Sequence, residues 1–242
     1  MSSGLAYRTR HDRGAILATH RHHTPYAALV LDGDYTESSL DGPLPCRPGT
    51  LVLHPPYHAH GDRFGRLGAS AINIELPNDR FVFAASAWQV HDLREAQEVF
   101  ARCPQRLSEL LACATPQTAV VVPDWQGELL RTMAECDDEI GTLARRLGVS
   151  AEHASRALTR TYGMSPQALR REARWRHALQ LLAGNASLAE VAAAAGFSDQ
   201  SHLHRIVVAH AGCTPARLRE QIRGRLRQQI NCVQDRPLAI AA

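Results

Sequence analysis

Histidines are the residues of this chain whose type and spacing first suggest chemistry. His20 and His22 stand two apart in an extended segment, so both side chains are expected on the same face of one strand. His60 lies in a distant segment and could join them. Three imidazoles can bind zinc, nickel, iron or manganese and leave coordination positions open. The same nitrogens can instead hydrogen-bond an organic ligand, and the sequence leaves both interpretations open.

The basic residues suggest a second kind of chemistry, because all 27 of them are arginine. Residues 1–136 contain 12 arginines and 15 acidic residues, whereas residues 137–242 contain 15 arginines and 9 acidic residues. Arginine forms paired hydrogen bonds with phosphate and guanine, so its excess in the second half favours an anionic partner such as nucleic acid. The alternative is an ordinary solvated arginine surface.

The histidines must be positioned by β-structure. Short apolar runs at 26–31, 50–54 and 70–76 are separated by segments rich in glycine, proline and aspartate. Several short runs at this spacing, without helical periodicity, predict the strands of an antiparallel sandwich or barrel.

The arginine-rich half contains an internal repeat. TLARRLGVS (142–150) aligns with EVAAAAGFS (190–198), and GMSP (163–166) aligns with GCTP (212–215). Each copy predicts a helix, a glycine turn, a serine-capped second helix and a helix that starts at proline, which is the helix-turn-helix layout. Residues 166–183 keep a helical period and predict one helix joining the copies. A single unit could be an α-hairpin in a bundle, but two matched copies in basic surroundings favour DNA binding.

The segment between the two modules changes to helical spacing. Residues 88–112 carry one apolar face before Pro104 and another after it. These faces predict a pair of helices covering the barrel, a dimerisation surface, or both, and the sequence does not separate these interpretations. The residues of the faces are Leu93, Ala96, Val99, Phe100, Leu107, Leu110 and Leu111.

The histidine spacing of the first module resembles the two cupin motifs. Tyr26 stands where the first motif has glutamate, and Tyr57 stands where the second has glycine. The resemblance implies a jelly-roll barrel over residues 14–77 that encloses a ligand cavity. The residues implied to contact an effector or a divalent metal there are His20, His22, Tyr26 and His60.

Residues 124–223 resemble the AraC/XylS-type DNA-binding domain along their whole length. The resemblance rests on AAAAGFSDQSHLHR (192–205) followed by GCTPARLR (212–219). Many regulators of this family carry a cupin-like effector barrel. The resemblance therefore implies a transcription regulator that responds to a ligand.

The resemblance also implies which side chains contact DNA. Arg156 suits guanine, Gln200 suits adenine, and Glu152 could accept a hydrogen bond from cytosine. Val207, Val208 and Ala209 stand where relatives carry aromatic and basic residues, so the second unit is expected to hold the backbone more weakly. The expected base-reading residues are Glu152, Ser155, Arg156, Gln200, Ser201, His202, His204 and Arg205. The expected phosphate contacts are Arg145, Arg146, Arg160, Arg170 and Arg171.

The predicted fold class is α+β multidomain, with a cupin-like antiparallel β-barrel followed by an all-α double helix-turn-helix. The expected divisions are an effector barrel over 1–87, a helical linker or dimerisation segment over 88–123, the DNA-binding domain over 124–223, and a flexible tail over 224–242.

The predicted function is that of a cytoplasmic, sequence-specific transcription regulator without enzymatic activity. Its expected partners are promoter DNA and a small-molecule effector, with RNA polymerase and a second copy of the chain as further candidates. The alternatives are a metal-binding cupin enzyme with a helical accessory domain, and an architectural DNA-binding protein without a sensing role. The basic repeat disfavours the enzyme, as does the lack of an evident general base near the histidines.

Other classes of protein fit the sequence less well. No apolar run reaches the roughly 18 residues of a membrane span, and no secretory signal is evident. The six cysteines are scattered without a C-x-x-C pair, so free thiols are expected rather than disulfides or a zinc finger.

Overall fold

The structure is a computed structural model that describes residues 6–77, 84–117 and 120–234, with side chains as far as residue 226. An antiparallel β-domain is followed by a helical domain, which confirms the predicted fold class. Among the residues described, no helix is both long and apolar enough to cross a membrane. The cysteines whose side chains the structure describes, Cys46, Cys103, Cys113, Cys136 and Cys213, are free thiols.

The strands of the described chain form one antiparallel sheet, called the barrel below. The strands are β1 Tyr7–His11, β2 Ile16–Arg21, β3 Tyr26–Ser39, β4 Gly42–Cys46, β5 Thr50–His54, β6 Ala59–Glu75, β7 Ser86–Gln89 and β8 Thr115–Pro116. Their order in the sheet is β1-β6-β3-β5-β7-β8, and β2 and β4 pair with β6 and β3, respectively.

Two long strands, β3 and β6, each pair with different neighbours along their length. β3 pairs with β5 along its first part and with β4 along its second, and β6 likewise pairs with β2 and then with β1. The β3–β6 register shifts on either side of Gly33, which has a φ of +73°. A Cβ at Gly33 would lie 1.9 Å from the carbonyl oxygen of Gly68, so only glycine fits this bend. The apolar run 26–31 therefore marks only the first part of its strand.

Two helices cover one face of the barrel. α1 (Leu93–Arg102) starts at its N-cap Asp92, and after a short 3₁₀ turn α2 (Leu107–Cys113) follows. The predicted apolar faces pack on the barrel core and are not free to form a dimerisation surface. Ser86–Gln89 pairs with β5, so the sheet extends past the boundary expected at residue 87. The core residues in this layer are Leu29, Leu51, Ile72, Ile74, Val99, Phe100, Leu107 and Leu110.

The helical domain has the predicted repeat. α6 spans Pro166–Ala183 with Ser165 as its N-cap, as the sequence predicts, and its 18 residues give a length of about 27 Å. Separate cores flank it, one around Leu158 of the first unit and one around Leu203 of the second. The helices are α3 Asp124–Glu135, α4 Ile140–Arg146, α5 Ala151–Tyr162, α6 Pro166–Ala183, α7 Leu188–Ala194, α8 Gln200–Ala211 and α9 Pro215–Gln234.

The expected flexible tail is wrong over residues 224–234. α9 continues through Gln234, because Leu226 packs against the second core and Arg225 is buried. Gly224 is exposed and does not stop the helix. Residues 235–242 of the expected tail lie outside the described residues.

Candidate DNA-binding surface and ligand cavity

The first helix-turn-helix unit presents the first set of expected base-reading residues. α4 and α5 meet at the fully buried Ala144, and Gly148 forms the turn with a φ of +72°. The Ser150 hydroxyl caps α5 by accepting a hydrogen bond from the His153 N–H at 3.2 Å. The side chains exposed on α5 include Glu152, Ser155 and Arg156.

The second unit repeats this layout with a different cap. Gly196 forms the turn with a φ of +76°, and Ala192 is buried as its counterpart is in the first unit. Asp199, rather than the predicted Ser198, caps α8 by accepting from the His202 N–H at 2.6 Å. The serine prediction is wrong here because α8 begins one residue later than expected.

The face of α8 is mostly exposed. His202 is half-buried, packs edge-on against Phe197 at 5.3 Å and lies 3.2 Å from the Ser198 hydroxyl through Nδ1. Val208 is 42% exposed, so this end of the helix presents an apolar side chain to solvent. The other expected readers, Gln200, Ser201, His204 and Arg205, are exposed.

Most of the expected phosphate contacts are also on the surface. Arg146 pairs with Asp138 at 2.7 Å, and both side chains are exposed. Arg160 forms no hydrogen bond or ion pair among the described residues. Arg171 is exposed but lines a cleft between the helical domain and the barrel. The exposed members of the set are Arg145, Arg146, Arg160 and Arg171.

Arg170 is the exception, and its prediction as a phosphate contact is wrong. Its side chain is buried. Its guanidinium donates to the carbonyl oxygens of Met133 at 3.2 Å and Asp138 at 2.6 Å. Arg170 therefore points inward from α6 and holds the end of α3 and the loop that follows it.

The barrel contains a cavity of about 270 Å³. β2 ends at Arg21, and His22 follows it directly. The ring centroid of His20 lies 5.0 Å from that of His22 and 4.5 Å from that of His60. The predicted residues His20, His22, Tyr26 and His60 all line this cavity.

Two carboxylates that the sequence analysis did not single out also line the cavity. Glu37 accepts a hydrogen bond from His54 Nε2 at 2.8 Å. Burial alone would raise the pKa of Glu37, but the charge and hydrogen bond of His54 hold it at about 2. Asp62 stands opposite Glu37 in the β3–β6 register. Strand alternation from Tyr35 could have placed Glu37 here, had the strand been extended past Gly33.

The residues of the cupin-like ligand set do not fit a metal bound by three histidines and a carboxylate. The Tyr26 hydroxyl lies 3.1 Å from His60 Nε2, and its ring stacks on His54 at 4.2 Å. Burial, followed by the charge of Glu37, raises the pKa of Tyr26 well above its usual value. Tyr26 is therefore a neutral phenol and cannot replace the missing anionic ligand.

We expect Asp62 to make the protein less stable as the pH rises. Burial and, secondarily, the charge of Glu37 raise the pKa of Asp62 to about 8. Because the folded state keeps a proton that the unfolded state has lost, Asp62 should lower the stability by up to about 1.4 kcal/mol per pH unit as the pH rises from about 4 to 8. Below about pH 6.5 the lowered pKa values of His22, His60 and His210 act in the opposite direction. Urea unfolding between about pH 7 and 8 should therefore show the fall in the wild type and a weaker one in Asp62→Asn. Equal slopes would mean that the Asp62 carboxyl titrates normally.

The barrel and the helical domain are joined by charged contacts. Arg21 lies between two cavity histidines in sequence but points the other way, donating to Glu172 of α6 at 2.9 Å and to the Tyr57 carbonyl at 3.1 Å. Its guanidinium also lies 6.0 Å from the centre of the Trp175 ring. Because successive side chains of β2 point to opposite faces, this strand contacts both the cavity and α6.

A second contact lies beside the first. Arg176 of α6 donates two hydrogen bonds to the Asp41 carboxylate, at 2.6 and 2.9 Å. The same carboxylate accepts from His58 Nε2 at 3.1 Å. These donors hold the pKa of Asp41 well below its usual value, although burial opposes them. Asp41 therefore bridges the barrel and α6 as an ionised carboxylate.

The surroundings of Tyr57 explain why this chain has a tyrosine where the second cupin motif has glycine. Its φ is +64°, a conformation that costs a side-chain-bearing residue about 1–2 kcal/mol. The ring packs into the core of the second helix-turn-helix unit, edge-on to Trp175 at 6.2 Å. Trp175 Nε1 donates to the Tyr57 carbonyl at 3.3 Å. Packing across the interface therefore offsets the backbone strain.

One family model and several solved structures are similar to this chain. Residues 143–221 match the family described as helix-turn-helix domain. Over 91% of this chain and 99% of the other, the chain is similar to ToxT from Vibrio cholerae, with 9% identity and a TM-score of 0.43. It is also similar to an AraC-type transcriptional regulator from Chromobacterium violaceum, with 26% identity and a TM-score of 0.37, over 40% of this chain and 88% of the other. No curated protein matches the chain.

Proposed function

We propose that this transcription regulator, whose residues 143–221 are a helix-turn-helix domain of the AraC type, reads promoter DNA with both α5 and α8. The observation that carries the proposal is the duplication itself. Both units expose a polar face on the second helix, and α6 joins them as one continuous helix. Two such helices held on one connector can enter successive segments of the major groove.

The proposed DNA contacts form two groups: some side chains read bases, and others hold phosphates and so position the protein on the duplex. On α5, Arg156 would contact a base edge, while Arg160, one turn later on the same helix, would hold phosphate. On α8, Gln200 and Arg205 would contact bases. The apolar end of α8 at Val208 supports a weaker grip on the backbone there.

The barrel would act as the sensor. Its cavity is lined by histidines, tyrosines and carboxylates, which suit a small polar effector. An effector that moves β2 would move Arg21 as well, and with it the contacts to Glu172 and Trp175. Binding in the cavity can thus change the position of α6 and of the reading helices attached to it.

This proposal differs from the two alternatives in what it requires. An architectural protein would need no cavity connected to its DNA-binding helices, and an enzyme would need no duplicated reading helix. A regulator of this kind would work in the cytoplasm and contact RNA polymerase at the promoter. Pairing with a second copy would use a surface other than the buried faces of α1 and α2.

Selection from random-sequence duplex DNA tests the proposal. The full chain should enrich one asymmetric site, with an affinity that falls as salt increases because phosphate contacts release counterions. A variant with both Arg156 and Arg205 changed to alanine should keep salt-dependent binding but enrich no site. If the wild type enriches no sequence, the chain does not read DNA as proposed.

A further inference from the structure

We propose that Glu37, His58 and His60, of which Glu37 and His60 line the barrel cavity, bind a divalent transition-metal ion. One potential ligand atom from each of the three lies within 4.8 Å of the other two, and all three residues are buried. An ion with bonds of about 2 Å in tetrahedral geometry spaces its ligand atoms about 3.3 Å apart. Binding would therefore draw these side chains slightly together.

The hydrogen bonds of His58 leave one nitrogen ready for a metal. Its Nε2 faces the Asp41 carboxylate at 3.1 Å. An ionised carboxylate only accepts hydrogen bonds, so Nε2 carries the proton and, in the neutral ring, Nδ1 carries the lone pair. Among the described residues, His58 Nδ1 is buried without a hydrogen-bond partner. A buried polar atom of this kind calls for a partner, and a metal ion would supply one.

His60 likewise has one ring nitrogen close to an oxygen and, among the described residues, the other without a partner. Its Nε2 lies 3.1 Å from the Tyr26 hydroxyl, and its Nδ1 is likewise buried with no hydrogen-bond partner in the described chain. The two rings lie 5.7 Å apart between centroids, at an angle of 21°. Metal-binding histidines commonly donate their second N–H to a carboxylate or another oxygen, which fixes the ring. The oxygens of Asp41 and Tyr26 are placed to accept such hydrogen bonds from His58 and His60, respectively.

Glu37 supplies the anionic ligand that Tyr26 cannot. One of its oxygens accepts from His54 at 2.8 Å, which orients the carboxylate and leaves coordination sites on the group. Two imidazoles and a carboxylate form a ligand set of the kind that binds zinc, cobalt, nickel or iron. The set that includes His20 and His22 lacks a carboxylate, and both of those side chains are only half-buried. Among the described residues, the deeper set is therefore the better metal site.

The position of the site gives it a further consequence, which rests on the proposed function. His58 is bonded to Asp41, and Asp41 holds Arg176 of α6. A metal on Nδ1 would lock His58 in the form that donates to Asp41 and so strengthen the attachment of the barrel to α6. The site itself does not depend on whether the chain binds DNA.

Metal titration of the chelator-treated full chain, without DNA, tests the site. The wild type should bind about one equivalent of Co²⁺ or Zn²⁺ after dialysis and unfold at a higher temperature with the metal than without. Glu37→Gln and His58→Gln should weaken binding at least about 100-fold, whereas the matched changes His20→Gln and His22→Gln should leave it unchanged. The proposal would be overturned if His20→Gln and His22→Gln lost metal binding while Glu37→Gln and His58→Gln kept it. A wild type that binds no metal would also overturn it.

A second measurement decides the case even if the variants fail to fold. In wild-type protein labelled with nitrogen-15 at histidine, Zn²⁺ should change the nitrogen-15 chemical shifts of two imidazoles, and the pattern should show that each binds the ion through Nδ1. Shifts of three imidazoles, or coordination through Nε2, would place the ion elsewhere. Because neither measurement involves DNA, failure of the site is distinct from failure of the proposed regulatory function.

Discussion

Replacing Trp175 by alanine should lower the free energy of unfolding of the helical domain by about 3–5 kcal/mol. Trp175 lies in the middle of α6, is fully buried, and packs with the core of the second helix-turn-helix unit. The change would leave a cavity and remove the indole N–H that donates a hydrogen bond to the Tyr57 carbonyl. Urea unfolding followed by the helical circular-dichroism signal measures the loss.

Trp125→Ala is the matched control, because Trp125 is a half-buried tryptophan on α3 of the same domain. Its removal should cost clearly less than that of Trp175. DNA binding should also weaken in Trp175→Ala, since both reading helices depend on the position of α6. Equal losses of stability in the two variants would contradict the role of Trp175 at the junction of the two domains.

The Arg156→Ala variant should lose about 1–3 kcal/mol of binding free energy at the selected site, which is roughly 5- to 150-fold in affinity. Arg156 is exposed on α5 and forms no hydrogen bond or ion pair with any described residue, so its guanidinium is free to pair with guanine. The loss should disappear on a site in which the cognate base pair is changed. Competition binding with matched and altered duplexes measures this difference.

Arg160→Ala provides the comparison on the same helix. Arg160 is exposed one turn after Arg156, and its loss should weaken all sequences alike and reduce the salt slope by about one. If the two variants weaken matched and altered duplexes to the same degree, then Arg156 holds phosphate and does not read a base.

The helical domain was the part best predicted from the sequence. Its helices follow from strong local signals, namely glycines that need a positive φ, serine caps and a proline at the first position of α6. The repeat doubled the glycine and proline signals, and α6 was predicted to the residue. The end of α9 was missed because it depends on packing of Leu226, which no local signal reveals.

Side chains that act across long distances in sequence were predicted less well. Arg170 belongs to a basic segment and was expected on DNA, yet the carbonyls that it binds lie in another helix and a loop. Glu37 was missed because the apolar run of β3 ends before the bend at Gly33, so the sequence did not predict the second part of the strand. The histidines of the cavity were found, since their spacing follows the alternation of a strand.

The interface between the domains could not be predicted from the sequence. Asp41 sits in a turn, Arg176 in a helix 135 positions later, and neither is marked by a motif. Tyr57 was noted only as a departure from the cupin pattern. Its positive φ and its place in the helical core explain that departure once the two domains are seen together.

Hydroxyl-radical footprinting on the selected site tests most directly whether both helix-turn-helix units read DNA. The wild-type chain should protect two segments of the duplex on one face, centred about 34 Å or one helical turn apart, because α6 holds the two reading helices together. Arg205→Ala should weaken the segment bound by α8 and leave the other. A single protected segment of one turn, unchanged by Arg205→Ala, would contradict the account and leave α8 without a role in recognition.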